Sequence, residues 1–339
     1  MIRTLLINHL LVKHIADFYR YLYPICEEPM PLKFSDPDEA SLQLEVATAK
    51  VFDCFDYLYL HAREELCQQR DLDLLDDDAQ DVLIRATIRT ADFDPTLLQD
   101  LQESHQALDA WIFAFSAIPQ TDSNRVSHTS AQIFYFCVWI WTKTWLDATA
   151  TLIDRFESQF EYFTGLCEQF VESHTAKTPL RSNFPAGGET KRSDQVNTPP
   201  AFSLGSGVVT CLVAIVERCR DSSIRRRCIA TLRKINLQGI FDTDYLVTYL
   251  TAIVEHEEQA ALLSRLEECP ASSLQAQDIP EAARFLEVAM SPSYHCTNPG
   301  FYKGDTVKLV YVTRLCGDVD GELQVGEKVV PVVREARAG

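Results

Sequence analysis

The sequence is short of positive charge. Its 31 Lys and Arg face 49 Asp and Glu, a formal net charge of −18. Duplex DNA is held largely by cations that displace counterions from its phosphates, so this balance argues against direct DNA binding. Runs of 18 apolar residues are also absent, and no membrane-spanning helix is expected. Cysteine pairs at regular spacing are missing. The eleven cysteines are scattered, mostly on apolar helix faces, which is how reduced thiols of an intracellular protein are distributed. There is no Gly-x-Ser-x-Gly, His-Glu-x-x-His, Walker loop or dinucleotide fingerprint, and Gly187-Gly188 lacks the Lys-Ser/Thr of a phosphate loop. The eight histidines stand at no triad-like spacing with Cys or Asp.

What the sequence has is an apolar period of about 3.6 residues, repeated from residue 1 to 290. It predicts an all-α, multi-helix domain of roughly ten helices, with a small C-terminal β-hairpin. Four parts follow from the pattern: a helical N-terminal part (1–173), a flexible loop or linker rich in Pro, Gly, Ser and Thr (174–200), a helical C-terminal part of the same domain (201–290), and a β-hairpin and tail (291–339). The start, MIRTLLINHLLVKH, reads as a helix, since His9, Lys13 and His14 interrupt it and no cleavage site follows. Asp36 before Pro37 should cap a helix over 37–70, with Leu42, Leu44, Val46, Ala49, Phe52, Cys54, Phe55, Leu58 and Leu66 inward. Asp94 should cap another over 95–118, with Leu97, Leu98, Leu101, Leu108, Trp111, Ile112 and Phe115 facing the core. The stretch IFYFCVWIWTKTWL (133–146) is the most hydrophobic of the chain, so its helix must be buried nearly all round. Residues 280–290 read as a short helix or turn. VKLVYVT and ELQVGEKVVPVV read as the strands of the hairpin, joined by a turn over 318–321.

The chain is organised around residues 202–258, which read as three helices joined by short turns. The first buries Val208, Leu212, Ile215, Val216 and Cys219. Asp221-Ser222-Ser223 caps the second, which turns Ile224, Cys228, Ile229, Leu232 and Ile235 inward, while Arg225, Arg226, Arg227, Arg233 and Lys234 crowd its other faces. Gly239 closes it. Asp242 or Thr243 caps the third, which buries Tyr245, Leu246, Tyr249, Leu250, Ile253 and Val254 and ends in Glu255-His256-Glu257-Glu258. That end reads as a solvated acidic helix terminus, and the arginine run as a solvated face or an internal ion-pair partner of the acidic helices.

Cys219-Arg220-Asp221, Arg225-Arg226-Arg227, Leu232-Arg233, Phe241-Asp242 and the acidic Glu255, Glu257 and Glu258 together resemble the C-terminal part of the fungal-specific transcription factor domain. This is the regulatory region behind the binuclear zinc cluster of many fungal transcription regulators. His256 stands where such proteins usually carry Ile. Weaker echoes run in order along most of the chain, from Phe34-Ser35 through Trp111, Phe115 and Trp145 to Ile279-Pro280-Glu281 and Asp320-Gly321-Glu322. No Cys-x2-Cys-x6-Cys series is present, so the zinc cluster is lacking. The chain starts at a point that the resemblance places inside the helical region, which fits a divergent standalone protein or an incorrectly drawn gene start. The resemblance implies a regulator, nuclear or cytoplasmic, without its own DNA-binding module and tied to fungal secondary metabolism. It would work through a protein partner or as a homodimer, with a small hydrophobic metabolite as a further candidate ligand.

The second reading is enzymatic. Asp77, Asp78 and Asp81 have the D-D-x-x-D spacing of class I terpene cyclases, where carboxylates on one helix face hold Mg²⁺ and, through it, a diphosphate. Arg226 and Lys234 would clamp the phosphate oxygens, and the aromatics of 134–145 would wall the cation. The plainer account of Asp76, Asp77, Asp78 and Asp81 is helix capping and favourable charge at a helix N-terminus. On the regulatory reading no cofactor is expected, and no catalytic residue is assigned.

Overall fold

The computed structural model describes residues 30–69, 72–91, 93–175, 201–235, 243–264, 274–290, 306–314 and 322–332. Among these the chain is all-α, with eight α-helices and a small antiparallel sheet. The helices are α1 (Pro37–Gln69), α2 (Asp77–Ile88), α3 (Pro95–Phe115), α4 (Arg125–Thr144), α5 (Glu157–Thr175), α6 (Ala201–Arg218), α7 (Ser222–Ile235) and α8 (Thr243–Ser264). Of the loop expected over 174–200, His174 and Thr175 instead end α5; its remainder, the readings over 1–29, Gly239, Asp242 and the turn over 318–321 lie outside the described residues.

The caps work as the sequence predicts. Asp36 accepts from the backbone N–H of Asp38 and Glu39, both at 2.9 Å, and Glu39 reaches back to the N–H of Ser35. Asp94 accepts from Thr96 at 2.7 Å with Pro95 in the first turn. These bonds satisfy N–H groups that a helix start leaves without partners. The expected inner faces are mostly right, and Leu44, Ala49, Cys54, Leu58 and Leu66 of α1 are buried. Leu42 and Leu98 are exposed instead. Both lie in the first two turns of their helices.

Helix α4 separates two apolar cores. Its Ala131, Tyr135 and Val138, with Trp145 capping its end, join a core with α1, α2 and α3, in which Trp111 stacks on Phe115 and Tyr135 at ring-centre distances of 4.6 and 5.3 Å. Its Ile133, Phe136, Cys137 and Ile140 join the other core, where Phe136 stacks on Phe163 at 4.0 Å and α5, α6, α7 and α8 meet. A helix with neighbours on both sides must be apolar on both, which is why residues 133–141 show no polar face.

The sheet corrects one expectation. The sequence predicts a short helix or turn over 280–290, but only Glu281–Ala283 form a 3-10 turn. Glu287–Met290 is strand β1, so the hairpin of β2 (Thr306–Arg314) and β3 (Leu323–Pro331) gains a third strand, in the order β1-β2-β3. Val288 opposes Tyr311, and Tyr311 opposes Gly326. A side chain at Gly326 would strike the Tyr311 ring, which packs on Phe285 and His256. The apolar run FLEVAM is too short for periodicity to distinguish strand from helix.

Candidate functional site

The carboxylates of α2 are placed as caps and ion partners. Asp76 is the N-cap, accepting from Ala79 N at 2.8 Å, and its other oxygen pairs with Lys308 of β2 at 3.0 Å. Burial alone would raise its carboxyl, but these two donors outweigh it and hold the group below the ordinary carboxylate range. Asp77 is exposed, while Asp78 is buried. Asp81 pairs with Arg85 at 2.9 Å and accepts from the Tyr59 hydroxyl at 3.1 Å. Among the described residues no three His, Cys, Asp or Glu form a group that could hold a metal ion. Arg226 pairs with Glu258 at 2.5 Å and Lys234 with Glu172 at 3.4 Å. Helix α2 packs on α1 and the sheet, and α7 packs on α5, α6 and α8. Asp81, Arg226 and Lys234 thus each spend charge on another partner inside the chain. The rings of 134–145 pack against other rings, as Trp141 does on Phe52, Trp145 on Phe55 and Trp139 on Phe156.

The buried charge lies elsewhere, in two knots whose members the sequence reading does not assemble, although it offers the arginine run as an internal ion-pair partner of the acidic helices. In the first, Glu257 of α8 is wholly buried between Arg220, in the turn after α6, and Arg225 of α7, at 3.2 and 2.5 Å. Its Oε1 also accepts from Phe285 N at 3.0 Å. The guanidiniums are held in turn by carbonyls: Arg225 donates to Val216 O, and Arg220 to Arg218 O and Phe285 O. Next door, Glu258 accepts from Ser222 and Arg226. Burial pushes Glu257 up, but Arg220 and Arg225 more than offset it and its carboxyl stays below the ordinary range. Burial pulls Arg220 down to about 10 against the opposing field of Glu257.

Two expectations are corrected here. The acidic end of α8 is not solvated: Glu255 is exposed, but Glu257 and Glu258 are buried and His256 stacks on Phe285 at 4.8 Å. Nor do all the arginines crowd outer faces, because Arg225 is fully buried. The reason is reciprocal, since each charge is affordable inside only because the other is there. The internal ion-pair alternative describes the arginine run, with Arg227 reaching Glu161 and Glu168 of α5.

In the second knot Glu287 of β1 meets three arginines, Arg89 at 2.7 Å, Arg218 at 3.0 Å and Arg85 at 3.2 Å. Burial would raise this carboxyl, yet Arg218, Arg89 and Arg85 together pull it down to about 2. Arg89 also donates to Thr144 O and Asp147 O, both at 2.8 Å, which ties α2, the end of α4 and β1 at one point. Beside the knot, Glu217 of α6 is buried and accepts from the Tyr249 hydroxyl at 2.7 Å. A signal for this knot existed in the sequence: Glu287 is the single charge inside the apolar run FLEVAM, where an exposed role is hard to satisfy.

The arrangement can carry load and fix geometry, joining the two cores and the sheet through paired charge. It presents no nucleophile–base pair among the residues singled out, and its arginines are engaged with internal carboxylates and carbonyls. No protein-family model matches the chain, and no solved structure matches it. Over 135 residues, 39% of its length, the chain is 29% identical to the aspercryptin biosynthesis cluster-specific transcription regulator atnN of Emericella nidulans. That match covers 18% of the regulator, so the chain corresponds to under a fifth of a protein that is a transcription regulator of a fungal biosynthetic cluster.

Proposed function

We propose that these residues act as a regulatory domain in the transcriptional control of a fungal biosynthetic gene cluster, of the kind found in the fungal-specific transcription factor domain. The similarity to the cluster-specific regulator carries the reading. The net charge of −18 supports a role away from the DNA itself, with duplex contact made by a protein partner, by a second copy or by a separate module. The buried Arg–Glu knots fit a domain whose task is to hold a defined shape for other proteins rather than to turn over a substrate. In this reading the domain acts in the nucleus and needs no metal.

Tethering tests it. Fused to an unrelated DNA-binding module in a fungal reporter strain, the chain should change transcription several-fold relative to the module alone, in either direction. A reporter that does not respond, with the fusion present in the nucleus, overturns the proposal. The purified chain should leave duplex DNA unshifted at moderate salt; a shift that survives unrelated competitor DNA contradicts the assignment of DNA contact to another module.

A further inference from the structure

We propose that Glu217 is a proton-operated latch at the seam where α2, α6, α8 and β1 meet, closed when its carboxyl is neutral and loosened when it ionises. Three buried glutamates differ in the charge they face. Glu257 faces two guanidiniums and Glu287 faces three. Glu217 makes no ion pair among the described residues, and its hydrogen-bond partner is a neutral phenol, Tyr249. A buried carboxylate without a direct cation is costly, so the protonated form is favoured there. The place on the helix works the same way: Glu217 is the penultimate residue of α6, where the unpaired carbonyls of the last turn repel negative charge.

The groups around it are Arg218 on its own helix, Arg85 from α2, Tyr249 from α8 and Glu287 from β1. Burial is the largest influence and raises the carboxyl to about 7, with Glu287 adding to the rise and Tyr249, Arg218 and Arg85 opposing it. Both cations are already committed, Arg218 to Glu287 and to Leu286 O, and Arg85 to Asp81 and Glu287. An ionised Glu217 therefore competes with Glu287 for Arg218, the residue next to it in sequence. The loser is the bond that holds β1 to α6. Protonation near neutral pH thus couples to the docking of residues 284–290, whatever the domain regulates.

The sign follows from the raised value. Between the ordinary glutamate range and about 7 the folded chain keeps a proton that the unfolded chain has lost, so stability falls as pH rises through this window and is flat above it. From pH 6 to pH 8 the unfolding constant of the wild type should rise about tenfold more than that of Glu217→Gln, which mimics the neutral form and can still accept from Tyr249. Amide hydrogen exchange at residues 285–290, corrected for intrinsic rates, should quicken over the same interval in the wild type and not in Glu217→Gln. Tyr249→Phe removes the donor that favours the carboxylate and should move the inflection to higher pH. Equal pH dependence of wild type and Glu217→Gln overturns the latch. Should Glu217→Gln fail to fold, the infrared carbonyl band of a protonated carboxyl in the wild type decides, since its absence at pH 6 or its persistence unchanged at pH 8 is equally fatal.

Discussion

The core of α1, α2 and α3 and the core of α5 to α8 share one wall, α4, but are held together by different chemistry. The first is a stack of rings: Phe34, Trp111, Phe115 and Tyr135 lie against one another, with Trp111 donating to Ala40 O at 2.7 Å. The second has the more continuous aliphatic interior, yet it carries Arg220, Arg225 and Glu257 inside it. Packed rings tolerate small shifts, because dispersion and burial are weakly directional. A buried ion pair does not, since a lost bond leaves a charge stranded in low dielectric. The first core therefore supplies bulk stability, and the second fixes how α7, α8 and residues 284–287 sit on one another. In a domain read as a regulatory scaffold, the second property is the one that a partner would sense.

The largest effect should come from stranding charge in the second core. Glu257→Ala leaves Arg220 and Arg225 buried without their carboxylate and should cost about 3–5 kcal/mol in chemical denaturation. Replacing Arg220, Arg225 and Glu257 together by apolar residues of similar volume should cost less than the single change, because nothing charged is then left behind. If the single change costs under about 1 kcal/mol, the contrast between the two cores fails.

The second knot makes the comparison pH-dependent. Glu287, held at about 2, contributes stability that is fully present above the ordinary glutamate value of 4.5 and is lost as pH falls through that value toward 2. The loss should be on the order of 3 kcal/mol in total and should be absent from Glu287→Gln, whose stability is lower at neutral pH. Denaturant midpoints at pH 6, 4 and 3 measure it. A wild type and a variant with parallel acid limbs would show that the three arginines do not act on Glu287.

In the ring core the corresponding change is mild. Trp111→Phe keeps most of the stack and removes one hydrogen bond to Ala40 O, for a cost of about 1 kcal/mol and no pH dependence.

The helices were legible because apolar period and capping are local. Asp36-Pro37, Asp94-Pro95 and the unbroken apolar run of 133–141 each state their structure within a few residues. The charge knots were not legible in the same way. Glu257 meets Arg225 32 positions away, and Glu287 meets Arg89 198 positions away. A run such as Arg225-Arg226-Arg227 reads alike whether its charges face water or carboxylates. Here one chain segment does all of these things, with Arg225 buried, Arg226 half in and Arg227 bridging at the surface to α5. Strand β1 escaped for a related reason: its partner in the sheet, β2, begins 16 residues after Met290 and supplies the pairing that four residues cannot specify alone.

The smallest effects should fall on the charges that an enzymatic reading would prize most. Lys234 is half exposed and meets Glu172 at 3.4 Å across an exposed gap, where solvent screens the pair and both side chains keep their freedom. Lys234→Ala should therefore change stability by no more than about 0.5 kcal/mol. Asp77, exposed in the first turn of α2, interacts with the helix dipole and should cost about 0.3–0.5 kcal/mol when replaced by Ala. Asp81 is the internal contrast, because Asp81→Ala takes a partner from both Arg85 and Tyr59 and should cost about 1–3 kcal/mol. The three variants separate two accounts of one short motif. Capping and pairing predict this graded order, with unfolding midpoints that Mg²⁺ at millimolar concentration leaves in place. A metal site predicts that Mg²⁺ raises the midpoint of the wild type and that Asp77→Ala and Asp81→Ala abolish the rise alike, since a ligand that binds only the folded chain stabilises it by mass action.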